Sequence, residues 1–213
     1  MTAFPSREAI AGVVLAGGLG RRMSGDGSGE DKGLRPFAGR PLAAHAIARL
    51  APQVGALVIN ANRNIDAWRA FGLPVVPDRL GGFVGPLAGL HAAMAWADAP
   101  WIATVPCDSP MLPVDLVARL AEAAAAADAQ VAVARTGSRA HPVFALAQRA
   151  LAEDLERFLV SGRRRIDAWY APLRVVEVPF EDERAFVNIN TPDELRQLEA
   201  EDAPPCGPTS ELS

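Results

Sequence analysis

The feature that most constrains this chain is an apolar run, Ile10 to Leu15, that breaks into Gly17, Gly18 and Gly20 and then into Arg21 and Arg22. The run is short and has no polar alternation, so it reads as a strand buried on both faces. Glycines directly after such a strand let successive backbone N–H groups turn toward an anion. Arg21, Arg22 and the lysine of Asp31-Lys32-Gly33 can bring charge to the same concavity. That layout suits a polyanion such as a nucleoside triphosphate. It is not a Walker loop, because Lys32 is followed by Gly33 and Leu34 where a hydroxyl residue is needed. The dinucleotide fingerprint fits Gly18 to Met23 only loosely, since Met23 stands where a third small residue should allow close packing.

Composition sets the outer bounds. With 213 residues, 50% of them hydrophobic, the chain can bury one substantial core, and one α/β domain is expected. A net charge of −4 argues against nucleic acid as a partner. Cys107 and Cys206 cannot build a disulfide framework, which fits a reduced cytoplasmic setting, and no apolar run approaches membrane length. Residues 1–9 read as a leader without structure signals, residues 10–201 as the domain and residues 202–213 as a disordered tail.

Along the chain, Pro41 is expected at the first position of a helix over Leu42 to Leu50. Ala56 to Asn60 and Leu73 to Pro77 read as strands, followed by Ala61-Asn62-Arg63 and by Asp78. Polar residues at the C-terminal ends of parallel strands face a ligand crevice. On position alone an Asx turn or a helix cap is slightly the better reading of Asn60, and Asp78 fits an ion pair with Arg79 or a turn. Gly81 to Gly89 is a second glycine-rich loop, leading into an apolar helix through Trp96. Trp101 to Val105 is a fourth strand, ending in Pro106-Cys107-Asp108-Ser109-Pro110. Asp108 has two readings of equal weight on position alone. It can hold the Mg²⁺ that accompanies a triphosphate, or cap an alanine-rich helix over Pro110 to Ala126. Cys107 reads as a small buried apolar residue.

The late segments Gln130 to Ala134, Val143 to Leu146 and Leu173 to Pro179 read as strands, and an antiparallel pairing among them is expected. His141 reads as a structural hydrogen-bonding residue ahead of a general base. Arg149 to Tyr170 is helical with a break at Ser161-Gly162, followed by the triple Arg163-Arg164-Arg165 on a solvated face. Thr191-Pro192-Asp193-Glu194 has the form of a helix N-terminus with a capping box.

The combination Leu15-Ala16-Gly17-Gly18, Arg21-Arg22-Met23, Asp31-Lys32-Gly33 and Pro106-Cys107-Asp108 resembles the signature of the molybdenum cofactor guanylyltransferases, over about Ile10 to Leu198. Related cytidylyltransferases typically read Leu-Ala-Ala-Gly in the loop, so Gly17-Gly18 points to guanine. Ser24 to Glu30 is longer than is usual in the family and has the composition of a mobile flap. The resemblance implies a single Rossmann-like α/β nucleotidyltransferase domain, its central sheet mostly parallel and flanked by helices. It implies transfer of GMP from Mg-GTP to the terminal phosphate of molybdenum-molybdopterin, with release of pyrophosphate.

Under this resemblance Arg22, Lys32 and Asp108 are the catalytic residues, and Asp108 is the Mg²⁺ ligand. Leu15, Ala16, Gly17, Gly18, Lys32, Asn60, Asp78 and Asp108 form the nucleotide pocket, with Asn188 or Asn190 on the second-substrate side. Arg163 to Arg165 then compete as receptors for the anionic acceptor. Proteins that deliver molybdopterin and molybdoenzymes that receive the product are the implied partners. A nucleotidyltransferase of cytidylyl or sugar-phosphate specificity, or a non-catalytic nucleotide-binding regulator, is the alternative.

Overall fold

The computed structural model of the chain describes residues 4–16, 31–81, 85–189 and Glu194. Gly17, Gly18, Gly20, Arg21, Arg22, Ser24 to Glu30, Gly82 to Val84, Asn190 to Asp193 and residues 202–213, all singled out in the sequence, lie outside the described residues.

The first apolar run is strand β1, Ile10–Leu15. After a 3-10 turn at Lys32–Leu34 come the short strands β2, Pro36–Phe37, and β3, Arg40–Pro41, then helix α1, Leu42–Leu50. Pro41 is therefore the N-cap of α1 rather than its first helical residue, because it is held in the β2–β3 hairpin. Next are β4 (Ala56–Asn60), α2 (Ile65–Arg69), β5 (Val75–Val76), α3 (Pro86–Trp96) and β6 (Trp101–Pro106). Helix α4, Leu116–Ala126, is followed by β7 (Val131–Thr136), β8 (Arg139–Gln148), α5 (Ala152–Val160), α6 (Ile166–Tyr170) and β9 (Val175–Phe180).

One sheet of seven strands runs in the order β5-β4-β1-β6-β8-β7-β9. β1 pairs in parallel with both β4 and β6, and β7 with β9, whereas β8 is antiparallel to both its neighbours. The expected antiparallel pairing is thus β8, inserted between β6 and β7. Residue parity along β1 explains the layers. Ile10 and Val14 face one side, with Ala43, Ala46 and Leu50 of α1 and Leu116, Val117 and Leu120 of α4. Ala11 and Val13 face the other, with Leu87, Leu90 and Met94 of α3, Leu155 and Phe158 of α5 and Trp169 of α6. Every β1 residue except Leu15 is buried, as expected of a strand covered on both faces. The result is a Rossmann-like sandwich of helices, sheet and helices.

Two expected elements change shape. The helix predicted from Pro110 begins only at Leu116, with Asp115 at its N-cap. The delay has a cause in the chain's C-terminal segment. Ile189 N–H donates to the Asp108 carbonyl at 2.9 Å and Ser109 Oγ donates to Asn188 Oδ1 at 2.8 Å, which keeps 108–109 out of helical geometry. The predicted strand over Leu73 to Pro77 contracts to Val75–Val76, paired with Ile59 and Asn60 at the sheet edge.

Candidate functional site

In open α/β sheets a ligand crevice forms at the carboxyl ends of the strands, where the strand order reverses. Here the chain leaves β1 for β4 and β5 on one side and returns to β6 on the other, so the reversal falls at β1. The residues at that point are Leu15 and Ala16, Asn60 at the end of β4, Asp78 just past β5, and Cys107-Asp108 just past β6. Three backbone bonds lock the four strand ends together. Ala16 N–H donates to Asn60 O at 2.8 Å, Cys107 N–H to Leu15 O at 3.1 Å and Ala61 N–H to Val76 O at 3.1 Å.

Asn60 is buried at 2% exposure. Its Nδ2 donates to Val76 O at 3.2 Å and to Asp78 Oδ1 at 3.0 Å. Asn62 completes the clamp, donating to Asp78 Oδ2 at 2.9 Å and accepting from Asp78 N–H at 2.8 Å. Asp78 is thus held by two asparagine amides, which fix a carboxylate at the crevice rim. Helix α3 packs its Gly89 against Asn60 and Leu15. A Cβ there would stand 2.4 Å from Asn60 Oδ1 and 2.5 Å from Leu15 Cδ2.

Lys32 and Asp108 meet just past the end of β6, Nζ to Oδ2 at 3.8 Å. The Lys32 turn reaches that place because Gly33 is wedged between Trp68 and Cys107, where a Cβ would meet their side chains at 2.7 and 2.8 Å. Asp108 is not a helix cap, since α4 starts eight positions further on, at Leu116, with Asp115 as its cap. Its carboxyl pKa is raised, burial outweighing the favourable effect of the Lys32 ammonium. Cys107 lies buried beneath, its thiol pushed far up by the same desolvation and by the charge of Asp108, which leaves it inert. Among the described residues, no cluster of three or more His, Cys, Asp or Glu is placed to hold a metal. A cation at Asp108 would share its coordination with phosphate oxygens and water, as Mg²⁺ commonly does.

On the other side of Asp108 lies a cleft of about 440 Å³, lined among others by Thr136, Arg139, His141, Phe144, Phe186 and Asn188. The reverse direction of β8 brings its first residues to the same edge as the end of β6. His141 is buried, stacks on Phe186 at 4.8 Å between centroids and hydrogen-bonds Thr136 Oγ1 through Nε2 at 2.7 Å. Burial, helped by the Arg139 charge, holds its imidazole below the ordinary range, with Glu183 opposing. The arginine triple is tied to its own surface: Arg163 lies over the Phe158 ring at 4.3 Å, Arg164 donates to Gly162 O and Arg165 pairs with Asp167.

The sequence reading gave Asp31 no role, yet its carboxylate is 4% exposed and accepts from Arg63, Asn64 and Trp68 at 3.0–3.2 Å. A charged residue inside the Asp31-Lys32-Gly33 triplet was the signal on view; its donors come from 32 to 37 positions away.

The sequence family described as the MobA-like NTP transferase domain matches over residues 12–176. A molybdenum cofactor guanylyltransferase from Cupriavidus metallidurans is 48% identical over 201 residues, covering 92% of this chain and 97% of its own length. One from Bordetella petrii is 51% identical over 193 residues, covering 89% and 96%. Among solved structures, molybdopterin-guanine dinucleotide biosynthesis protein A from Archaeoglobus fulgidus is similar with a TM-score of 0.73 at 26% identity, covering 90% of this chain and 97% of that one.

Proposed function

The chain belongs to the molybdenum cofactor guanylyltransferases within the MobA-like NTP transferases, and from that premise we propose that it joins GMP from GTP to the terminal phosphate of molybdenum-molybdopterin. A phosphate oxygen of the acceptor attacks the α-phosphorus of GTP, the bond to the β-phosphate oxygen breaks, and pyrophosphate leaves. The attacking phosphate is already an anion, so the step needs alignment and charge neutralisation more than a general base.

The observation that carries the reading is the pairing of Lys32 with Asp108 just past the end of β6, the strand beside β1, where the strand order reverses. Lys32 supplies a cation for the β- and γ-phosphates. Asp108 is the residue that would hold Mg²⁺: it is a buried carboxylate disfavoured in its charged form, and a divalent cation relieves that cost. Bound there, the metal would neutralise phosphate oxygens and orient the triphosphate. Leu15 and Ala16 border the guanine or ribose side of the pocket, and Asn60 with Asp78 forms its wall. Gly17, Gly18 and Arg22 belong to the same proposed pocket. The 440 Å³ cleft is the proposed acceptor side, reached from Asp108 through Ser109 and Asn188. Its neutral His141, stacked on Phe186, offers a flat wall to a pterin ring. Molybdopterin-delivering proteins, receiving molybdoenzymes and a cytoplasmic location complete the proposal.

Calorimetric titration with GTP, CTP, ATP and NAD, each with and without Mg²⁺, tests it. Mg²⁺-enhanced, GTP-selective binding is expected. Preference for CTP would move the chain to cytidylyl transfer, and binding of NAD alone would overturn the reading.

A further inference from the structure

We infer that Asp31 is a positioning residue, coupling the loop after β4 to the ammonium of Lys32; the inference rests on the proposed contact of Lys32 with the triphosphate. Asp31 accepts through both oxygens: Oδ1 from Arg63 at 3.2 Å, Oδ2 from Asn64 at 3.0 Å and from Trp68 Nε1 at 3.1 Å. An ionised carboxylate only accepts, so three converging donors fix its position and its orientation together.

The same residue opens the turn that carries Lys32. Leu34 N–H donates to Asp31 O at 3.0 Å and Arg35 N–H to Lys32 O at 3.1 Å. Trp68, fully buried, therefore grips this turn twice, through its indole N–H on Asp31 and through its ring against Gly33. Asn60, Asn62, Arg63 and Asn64 belong to one short stretch at the end of β4. Its first half holds Asp78 and its second half holds Asp31. A nucleotide that settles against Asn60 and Asp78 thereby sets the anchor from which Lys32 reaches Asp108. A lysine chain has four rotatable bonds, and holding its root restricts where its charge can be delivered.

Asp31→Asn turns one of those acceptors into an N–H₂ group facing donors, without changing size. The test compares GTP and guanosine binding by calorimetry in the parent, Asp31→Asn, Lys32→Ala and the double variant, with a thermal midpoint for each. We expect about a tenfold loss of GTP affinity in Asp31→Asn, no change for guanosine, and no further loss when Asp31→Asn is added to Lys32→Ala. Equal losses for guanosine and GTP, or additive losses in the double variant, would make Asp31 a general brace and overturn the inference. Unchanged GTP affinity in Lys32→Ala would remove the contact on which the inference stands, and is told apart by appearing in the single lysine variant. Should Asp31→Asn fail to fold, Asn64→Ala removes one donor and leaves the carboxylate in place. It is expected to give a smaller loss that likewise vanishes beside Lys32→Ala, and additivity there would also refute the coupling.

Discussion

Gly89→Ala separates packing at the site from packing of the fold. Gly89 sits within α3, where alanine is the better helix former by about 1 kcal/mol. Against that gain stands a Cβ 2.4 Å from Asn60 Oδ1, 2.9 Å from Asn60 Cγ and 2.5 Å from Leu15 Cδ2. Ordinary contact needs ~3.5 Å, so the neighbours must withdraw by about 1 Å. The tip of Leu15 is the end of a half-buried side chain and can rotate. Asn60 cannot do so freely, because it is 2% exposed and its amide is committed to Val76 and Asp78. Overpacking of this kind costs about 1–3 kcal/mol, which after the helix gain leaves a net loss of about 0–2 kcal/mol. For a chain of this size that lowers the thermal midpoint by at most about 8 °C and leaves the protein folded at 25 °C.

The activity should suffer far more. A displacement of about 1 Å in a substrate-positioning group can cost about 100-fold, equivalent to roughly 2.7 kcal/mol of transition-state stabilisation. We therefore expect kcat/KM for GTP to fall about 100-fold in guanylyl transfer while the midpoint moves little. A rise in the midpoint with kcat/KM unchanged would show that both neighbours step aside at no cost, and would refute the argument that Asn60 is held.

Asp108→Asn should abolish turnover, by about a thousandfold or more, and yet stabilise the metal-free protein at pH 7. Burial raises the carboxyl pKa in the fold, so the stability linked to it is full below the unfolded value, about 3.9, and is lost as pH rises through the folded one. The midpoint gain, measured in chelator, should close as pH falls toward 4, and an Asn variant less stable than the parent at pH 7 would contradict it. Cys107 should resist thiol reagents at pH 8 in a Cys206→Ala background and react once the protein is denatured; native labelling would refute the assignment of a buried, protonated thiol. Trp169, 1% exposed with its Nε1 donating to Asp154 at 3.0 Å, should cost about 3–5 kcal/mol when replaced by alanine, read by denaturant unfolding. Lys32→Ala should raise the KM for GTP with a smaller change in kcat, and an unchanged KM would count against its place on the triphosphate.

What was legible in the sequence follows from how local each determinant is. Ile10 to Leu15, Ala56 to Asn60 and Trp101 to Pro106 are apolar runs bounded by glycine, proline or asparagine, and they became central strands. The second glycine-rich loop is shorter than the expected Gly81 to Gly89, because α3 already begins at Pro86. The start of α4 was misread because Asp108 and Ser109 are engaged by Asn188 and Ile189, some eighty residues downstream, and no local propensity reports such a bond. The ten-residue length of β8 and its place between β6 and β7 depend on pairing at long range for the same reason. In the site, the family resemblance and not position alone singled out Asn60, Asp78 and Asp108, and the fold brings all three to strand ends along one edge of the sheet. Asp31 escaped notice because its meaning resides in its donors.

The single reversed strand also organises the chemistry. An in-line displacement at the α-phosphorus requires the acceptor oxygen and the leaving pyrophosphate on opposite sides of the reacting atom. Parallel strands β5, β4 and β1 supply one bank of the crevice with asparagines, a carboxylate and backbone groups. Beyond β6 the sheet changes character: antiparallel β8 delivers Arg139 and His141 to the same edge, and the β7–β8 turn and the 183–188 segment close the second cleft there. Asp108 stands on the one strand that borders both banks. A group that neutralises the reacting phosphate must reach it from between donor and acceptor. In the proposed reading the end of β6 provides that place, and Asp108, a carboxylate disfavoured by its own burial, would hold there the Mg²⁺ that does the neutralising.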